Sequence, residues 1–181
     1  MIEGTASGRR ILEPRHGFGS MDMLAPTVSL MLVSVLVALS ALHLLWAFGS
    51  SFPCSNEQTL ARTVVGRRGI TKMPSSLSCA AVAVCLFAAA GLAGLLGGHV
   101  FPLEMPFLQK AVLAISGLAA ALVFLGRGVI GILPAFERSA PELPFLRLNR
   151  RVYSPLSFLI GIGFVLLVIS LPNWSWRLAG G

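Results

Sequence analysis

Acidic residues are scarce in this chain of 181 residues, which has seven Asp and Glu against 14 Lys and Arg. None of the acidic residues lies within the four long apolar runs of the sequence. Proton- and cation-coupled transporters place carboxylates inside their membrane-spanning segments. The sequence therefore argues against that kind of transport.

Cysteine and histidine are also few, with three of each, and their spacing forms no recognisable site. The cysteines form no CxxC pair, so we interpret them as small apolar side chains rather than a thiol-redox centre. The histidines fall in separate regions and lack the spacing of metal ligands. No nucleophile lies beside a convincing base. The sequence thus favours a protein with no catalytic residues, no cofactor and no metal.

Long apolar runs, by contrast, fill most of the chain, in which 55% of the residues are hydrophobic and 12% are charged. A helix needs about 20 residues to cross the hydrocarbon core of a bilayer. The runs predict membrane-spanning helices at about residues 24–48, 77–96, 111–133 and 156–172. We expect an all-α, integral membrane four-helix bundle over residues 23–181, with a flexible tail at residues 1–22.

Basic residues are concentrated in two of the connections between the predicted spans. Residues 49–76 and 134–155 hold eight Lys and Arg, whereas the other segments outside the spans hold five. Because basic loops stay on the cytoplasmic side, we expect both of these loops in the cytoplasm and both termini outside. The net charge of +7 then reflects membrane topology, so we expect a lipid bilayer as partner and no nucleic acid.

Glycines recur at helical spacing in the second and third predicted spans. Small residues so arranged let two helices approach closely, either within one chain or between copies in a homo-oligomer. The glycines predicted to pack in this way are Gly91, Gly94, Gly98, Gly117, Gly128 and Gly131.

The fourth apolar run is shorter than the others, and its flanks suggest how it reaches across the membrane. Tyr153 on one side and Trp174 and Trp176 on the other suit the two water interfaces. Ser154 is expected to cap the helix, and Pro155 fits its first position.

One arginine, Arg127, lies inside the third apolar run, where a cation costs about 2.5–3.5 kcal/mol on insertion-based scales. At a rise of about 1.5 Å per residue, Arg127 lies roughly 10 Å and His43 roughly 7–8 Å from the ends of their spans on the same side. Trp46 and Tyr153 fall near that level. These four residues predict a polar pocket at one side of the membrane.

The partner of Arg127 in such a pocket is left open by the sequence. Helix-end carbonyls, Tyr153 or an anionic group could accept its hydrogen bonds, and Glu57 and Glu137 are candidate carboxylates from the loops. The alternative is that the long side chain extends to lipid phosphates without forming a pocket.

Short motifs at the spans give the chain a family resemblance. They are His43-Leu44-Leu45-Trp46-Ala47-Phe48-Gly49, Arg127-Gly128 and Tyr153-Ser154-Pro155-Leu156. In these motifs the chain resembles a small bacterial membrane family known as domain of unknown function 3995, which often has cysteine where this chain has Ser157. The resemblance implies four helices and a bacterial plasma (inner) membrane. It implies no activity.

The sequence therefore favours a small multi-pass membrane protein with a structural or ligand-binding role. Its ligand would be an anionic lipid or an anionic small molecule. The alternative is a membrane enzyme or carrier acting on a lipid-soluble or anionic small molecule. In that case Arg127 would contact the anion and His43 would donate or accept a proton.

Overall fold

The computed structural model describes residues 21–98 and 107–171, which form helices and turns and no strand. A π-helical turn, Asn149–Tyr153, lies between Leu148 and Ser154. The α-helices are α1 (Met21–Ala47), α2 (Glu57–Val64), α3 (Ser76–Leu96), α4 (Phe107–Ile132), α5 (Pro134–Ser139), α6 (Leu143–Leu148) and α7 (Ser154–Ser170). The predicted all-α fold is confirmed.

Four helical segments are long and apolar enough to cross a membrane, which confirms the predicted four-span architecture. The fourth is longer than its apolar run because α6, the π turn and α7 form one helical segment of 28 residues. The candidate spans are Leu24–Ala47, Ser76–Leu96, Lys110–Ile132 and Leu143–Ser170. Most of the predicted tail, and Trp174 and Trp176, lie outside the described residues.

The four spans pack as two antiparallel pairs that are joined by the last helix. α1 lies against α3 and α4 lies against α7, while α7 also contacts α1. Leu36, Phe164 and Leu167 are fully buried where the pairs meet. The ring of Phe124 stacks on that of Phe164 with 6.0 Å between centroids. The core therefore centres on α7.

Two serine hydroxyls tie α1 to α3. Ser29 donates to the carbonyl of Ala93 at 2.6 Å, and Ser40 donates to the carbonyl of Ala83 at 2.8 Å. Both serines are buried, so each hydroxyl finds its acceptor on the neighbouring helix rather than in water.

Some of the predicted packing glycines lie in close helix contacts. A Cβ at Gly117 would meet Val168 Cγ2 at 2.6 Å, and one at Gly128 would meet Phe158 Cδ2 at 2.5 Å. Both glycines therefore let α4 approach α7 closely. Gly94 is buried in α3.

Other glycines of the set face open space. A Cβ at Gly91 or Gly98 would meet no atom within 4 Å among the described residues, and both glycines are exposed. Gly98 lies in the turn after α3 rather than in a helix. The recurrence of glycine in the sequence does not reveal which face of the helix meets a neighbour in the same chain.

Ser154 does not cap the fourth span, contrary to expectation. The backbone is already helical at Tyr153, and the Ser154 N–H donates to the carbonyl of Asn149 within the π turn. A cap is not needed because the chain enters α7 from another helical turn rather than from a loop. Pro155 lies in the first turn of α7, as expected.

Candidate functional site

Arg127, on α4, is hydrogen-bonded to a buried amide on the π turn. Its Nη2 donates to Asn149 Oδ1 at 3.2 Å, and Asn149 is fully buried. The Asn149 amide nitrogen in turn donates to the carbonyl of Gly131 at 2.5 Å. One asparagine thus links the guanidinium to the backbone of the helix that carries it.

Ser154 and Gly131 complete this polar cluster. The Ser154 hydroxyl donates to Asn149 Oδ1 at 3.3 Å and is itself buried. A Cβ at Gly131 would overlap Ser154 Oγ and Arg127 Nη1, and would lie 3.2 Å from Asn149 Oδ1. Gly131 therefore provides the space that the polar side chains occupy, and its neighbours are polar groups rather than the apolar side chains of a helix-packing face.

The Arg127 guanidinium keeps one nitrogen without a partner. Nη1 is buried and has no hydrogen-bond partner among the described residues. The guanidinium carbon lies 5.3 Å from the centre of the Phe136 ring on α5, which is within the range of a cation–π contact. An amide and an aromatic face therefore surround a cation whose charge no described carboxylate balances.

The carboxylates expected from the loops are bound elsewhere, and this part of the prediction is wrong. Glu57 accepts a hydrogen bond from the Met73 N–H at 2.9 Å. Glu137 accepts from Arg150 Nε and Nη2, each at 2.5 Å. These hydrogen bonds hold the pKa of Glu137 below its ordinary value. Both glutamates are bound by other donors, and the hydrogen-bond partner of Arg127 is a neutral amide.

A row of aromatic rings, Phe136, Phe145 and Tyr153, lies beside the cluster. The rings of Phe136 and Phe145 are 6.0 Å apart, and so are those of Phe145 and Tyr153. The Tyr153 hydroxyl donates to the carbonyl of Thr63 at 3.3 Å. The aromatic row therefore runs from the guanidinium to α2 in the first loop.

The two basic loops contact each other beside Phe145, the buried middle ring of this row. The N–H of Glu142 donates to the carbonyl of Gly66 at 3.2 Å, and the N–H of Gly69 donates to Glu142 Oε1 at 3.3 Å. Gly66 has a φ of +71°, and a Cβ there would lie 2.5 Å from atoms of Phe145. Only glycine therefore fits where the first loop crosses the third.

His43 and Trp46 form a separate pair on α1. Their ring centroids are 4.7 Å apart. His43 Nδ1 lies 2.8 Å from the carbonyl of Leu39, and Trp46 Nε1 donates to the carbonyl of Phe52 at 2.7 Å. Trp46 is buried in a small apolar cluster with Leu60 and Cys79.

The structure thus divides the predicted pocket residues into two groups. His43 contacts Trp46, whereas Arg127 connects to Tyr153 through the rings of Phe136 and Phe145. The hydrogen bonds and ring contacts of these residues, within the described part of the chain, do not join the groups. One pocket shared by all four residues stays a prediction.

Sequence reasoning missed Asn149 as the partner of Arg127 and Ser154 as a second donor to Asn149. Asn149 lies among Arg147, Arg150 and Arg151, which gives the segment the composition of an exposed basic loop. The available signal was an uncharged amide inside a stretch of helix-forming residues that leads into an apolar span. Across residues 21–98 and 107–171, no group of His, Cys, Asp and Glu could hold a metal ion.

Comparison with known proteins adds a family assignment. Residues 36–164 match the model of a family described as "Protein of unknown function (DUF3995)". Neither the comparison with curated proteins nor that with solved structures found a match. The matched range covers most of the chain and includes Arg127, Asn149, Ser154 and the pair of His43 and Trp46. The chain is a multi-pass membrane protein that belongs to the DUF3995 family.

Proposed function

We propose that this protein binds an anionic group inside the membrane, with Arg127 as its principal contact. The observation that carries the proposal is the buried Arg127 Nη1, which has no hydrogen-bond partner among the described residues. Leaving a buried donor unpaired costs about 1–3 kcal/mol, and more when the group is charged. A bound anion would remove that cost.

The chemistry of the site favours a carboxylate or a phosphate. A guanidinium presents its N–H groups as a planar fork that matches two oxygens of either group. Asn149 occupies one nitrogen of the fork and is neutral, so the positive charge remains available. Ser154 lies on the other side of Asn149 and adds a hydroxyl to the same cluster.

Phe136 is the side chain that would move aside for such a ligand to enter. Its ring covers the guanidinium, and it belongs to the short helix α5 rather than to a membrane span. Because Nη1 is buried, a ligand reaches it only when a covering side chain moves. A movement of α5 would expose the nitrogen without disturbing the packing of α4 on α7.

The enzyme or carrier alternative requires Arg127 and His43 to reach one ligand. Their helices, α4 and α1, belong to different pairs of spans, and α1 contacts the other pair through α7. His43 Nδ1 faces a carbonyl of its own helix, which leaves Nε2 as the atom for proton transfer. We therefore favour binding over catalysis. The His43→Ala variant tests the alternative in the binding experiment below.

We further propose that the loops at residues 49–76 and 134–155 lie in the cytoplasm. Their packing against each other is consistent with one common side, and their eight basic residues favour the cytoplasmic one. Reporter fusions at the two ends and within the loops test this orientation. Loops found in two different compartments would contradict it.

The test of binding is mass spectrometry of molecules that stay bound to the chain after purification in mild detergent. We expect Arg127→Gln to lose an anionic molecule that the wild type retains, because glutamine lacks the charge and the fork. Arg147→Gln is the matched control, since Arg147 is exposed on α6 and takes no part in the hydrogen bonds of the cluster. His43→Ala is expected to retain the molecule.

Helical content and elution as a single species must be equal for all variants before binding is compared. Arg127→Lys is a second variant that keeps the charge and is expected to bind more weakly than the wild type. If Arg127→Gln and the wild type retain the same molecules, the proposal is wrong. If Arg127→Leu is more stable and retains the same molecules, Arg127 has no binding role.

A further inference from the structure

A positively charged cavity lies at the surface where the first loop meets α5. It is wide open to its surroundings and has a volume of about 560 Å³. The residues that line it are Arg68, Pro134, Glu137, Arg138 and Pro141. Arg127, Asn149 and Ser154 do not line it, so the cavity is separate from the site described above.

Two arginines face this cavity from different segments of the chain. Arg68 comes from the first loop and Arg138 from α5, and both are exposed. Neither forms an ion pair with a described carboxylate. The carboxylate in the lining, Glu137, has both oxygens bound by Arg150. The wall therefore carries two unpaired cations and one neutralised acid.

The hydrogen bonds between the loops hold the two sides of the cavity together. Glu142, directly after the lining residue Pro141, accepts from the N–H of Gly69 and donates to the carbonyl of Gly66. Gly69 directly follows Arg68. Each segment that carries an arginine is thus fixed next to the cavity before any ligand binds, which lowers the entropic cost of binding.

We propose that Arg68 and Arg138 bind a phosphate group in this cavity. Two guanidinium groups from different segments of the chain can together bind the charged oxygens of one phosphate, because each presents its N–H groups as a planar fork. The lining residue Pro134 comes just after the third candidate span and Pro141 just before the fourth, and lipid phosphates lie at the ends of membrane spans. The phosphate belongs either to a lipid headgroup or to a soluble phosphate ester, and the test separates these sources.

The test uses the full chain and two probes of known composition. The first probe is phosphatidylglycerol, titrated into nanodiscs of phosphatidylcholine that contain the protein. The second is glycerol 3-phosphate, added to the protein in phosphatidylcholine nanodiscs. Native mass spectrometry reads the bound fraction. We expect Arg68→Gln combined with Arg138→Gln to weaken binding of one probe by about tenfold or more.

The control removes the same charge from the same surface. Arg67 and Arg147 are exposed, lie in the two loops and do not line the cavity. The double variant of Arg67→Gln and Arg147→Gln is expected to bind within about twofold of the wild type. Arg68→Lys with Arg138→Lys keeps the charge and is expected to recover part of the affinity, which excludes misfolding as the cause.

If the double glutamine variant of Arg68 and Arg138 loses only phosphatidylglycerol binding, the ligand is a lipid. If it loses only glycerol 3-phosphate binding, the ligand is a soluble ester. Either result supports the proposal if Arg127→Gln leaves that binding unchanged. The proposal is overturned if neither probe binds the wild type, or if both double glutamine variants lose equal affinity. It is also overturned if Arg127→Gln abolishes the binding, because the phosphate would then belong to the Arg127 site.

Discussion

Asn149 Oδ1 accepts a hydrogen bond from Arg127 Nη2 at 3.2 Å, which connects the π-helical turn of the fourth span to the third span. The same oxygen accepts from Ser154, and the amide nitrogen donates to Gly131. Asn149 therefore uses both ends of its amide to hold the only arginine that the apolar runs contain. The orientation of the guanidinium depends on this single neutral side chain.

Replacement of Asn149 by alanine should destabilise the protein. It would leave the Gly131 carbonyl, the Ser154 hydroxyl and a second nitrogen of Arg127 without partners. We expect a loss of about 1–3 kcal/mol in the free energy of unfolding. Thermal unfolding in detergent measures it. Ser34→Ala is the control, because the exposed Ser34 hydroxyl bonds only to its own helix at the Leu30 carbonyl; equal melting temperatures for the two variants would contradict the prediction.

Gly131→Ala and Gly126→Ala form a matched pair on α4. A Cβ at Gly131 would overlap Ser154 Oγ and Arg127 Nη1, whereas one at Gly126 would meet no described atom within 4 Å. Both changes favour helix formation by up to about 1 kcal/mol. We expect Gly126→Ala to be neutral or stabilising and Gly131→Ala to cost about 1–3 kcal/mol through overpacking. Thermal unfolding checks this, and a neutral Gly131→Ala would mean that the cluster adjusts freely.

The contact between the loops can be tested at Gly66. Gly66 and Gly69 have φ values of +71° and +70°, so alanine at either position costs about 1–2 kcal/mol in backbone strain. Only at Gly66 would the Cβ also meet Phe145. We expect Gly66→Ala to be more destabilising than Gly69→Ala by about 1–3 kcal/mol. Limited proteolysis of the loops and thermal unfolding both measure the difference, which should vanish when Phe145 is also replaced by alanine.

Glu137 should contribute to the pH dependence of stability. Hydrogen bonds from Arg150 lower the pKa of the Glu137 carboxyl in the folded protein below 4.5, its ordinary value. The unfolded chain therefore takes up the proton first as the pH falls. The stabilisation is fully present above pH 4.5 and is lost as the pH falls through the lower, folded pKa.

Thermal unfolding between neutral and acidic pH checks this contribution. Glu137→Gln should make the acid side of the stability profile shallower than in the wild type. The difference should be small and should shrink at high salt, because the Arg150 side chain is exposed. Arg150→Gln should have the same effect, and the double variant should add little to either. Parallel profiles for Glu137→Gln and the wild type would show that the pair is not coupled to folding.

The four spans could be predicted because their cause is local to each apolar run. A run of about 20 apolar residues has few stable alternatives to a membrane-spanning helix, whatever it packs against. The helices in the loops were not predicted, since α2, α5 and α6 are short and depend on packing between the loops. The pairing of α1 with α3 and of α4 with α7 also depends on side-chain fit.

The candidate site could be predicted only in part. Arg127 was identified from the sequence because a cation in an apolar run needs an explanation. Its partner was not identified. Glu137 was one candidate partner, but Arg150 binds both of its oxygens. Asn149 reaches Arg127 because the π turn directs it inward, and single-sequence patterns do not reveal a π turn.

The π turn also has a consequence for the length of the connection between the third and fourth spans. It contains one residue more than an α-helical turn would need, and each residue of an α-helix advances the chain by about 100°. Removing one residue from Asn149–Tyr153 would restore α-helical geometry and rotate α7 about its axis by that angle relative to α6. Gly161 and Phe164 would then turn away from α4. This five-residue segment therefore sets the rotation of α7 about its own axis. Shortening it should disrupt the packing of α7 in the bundle even though every apolar residue of the spans is kept.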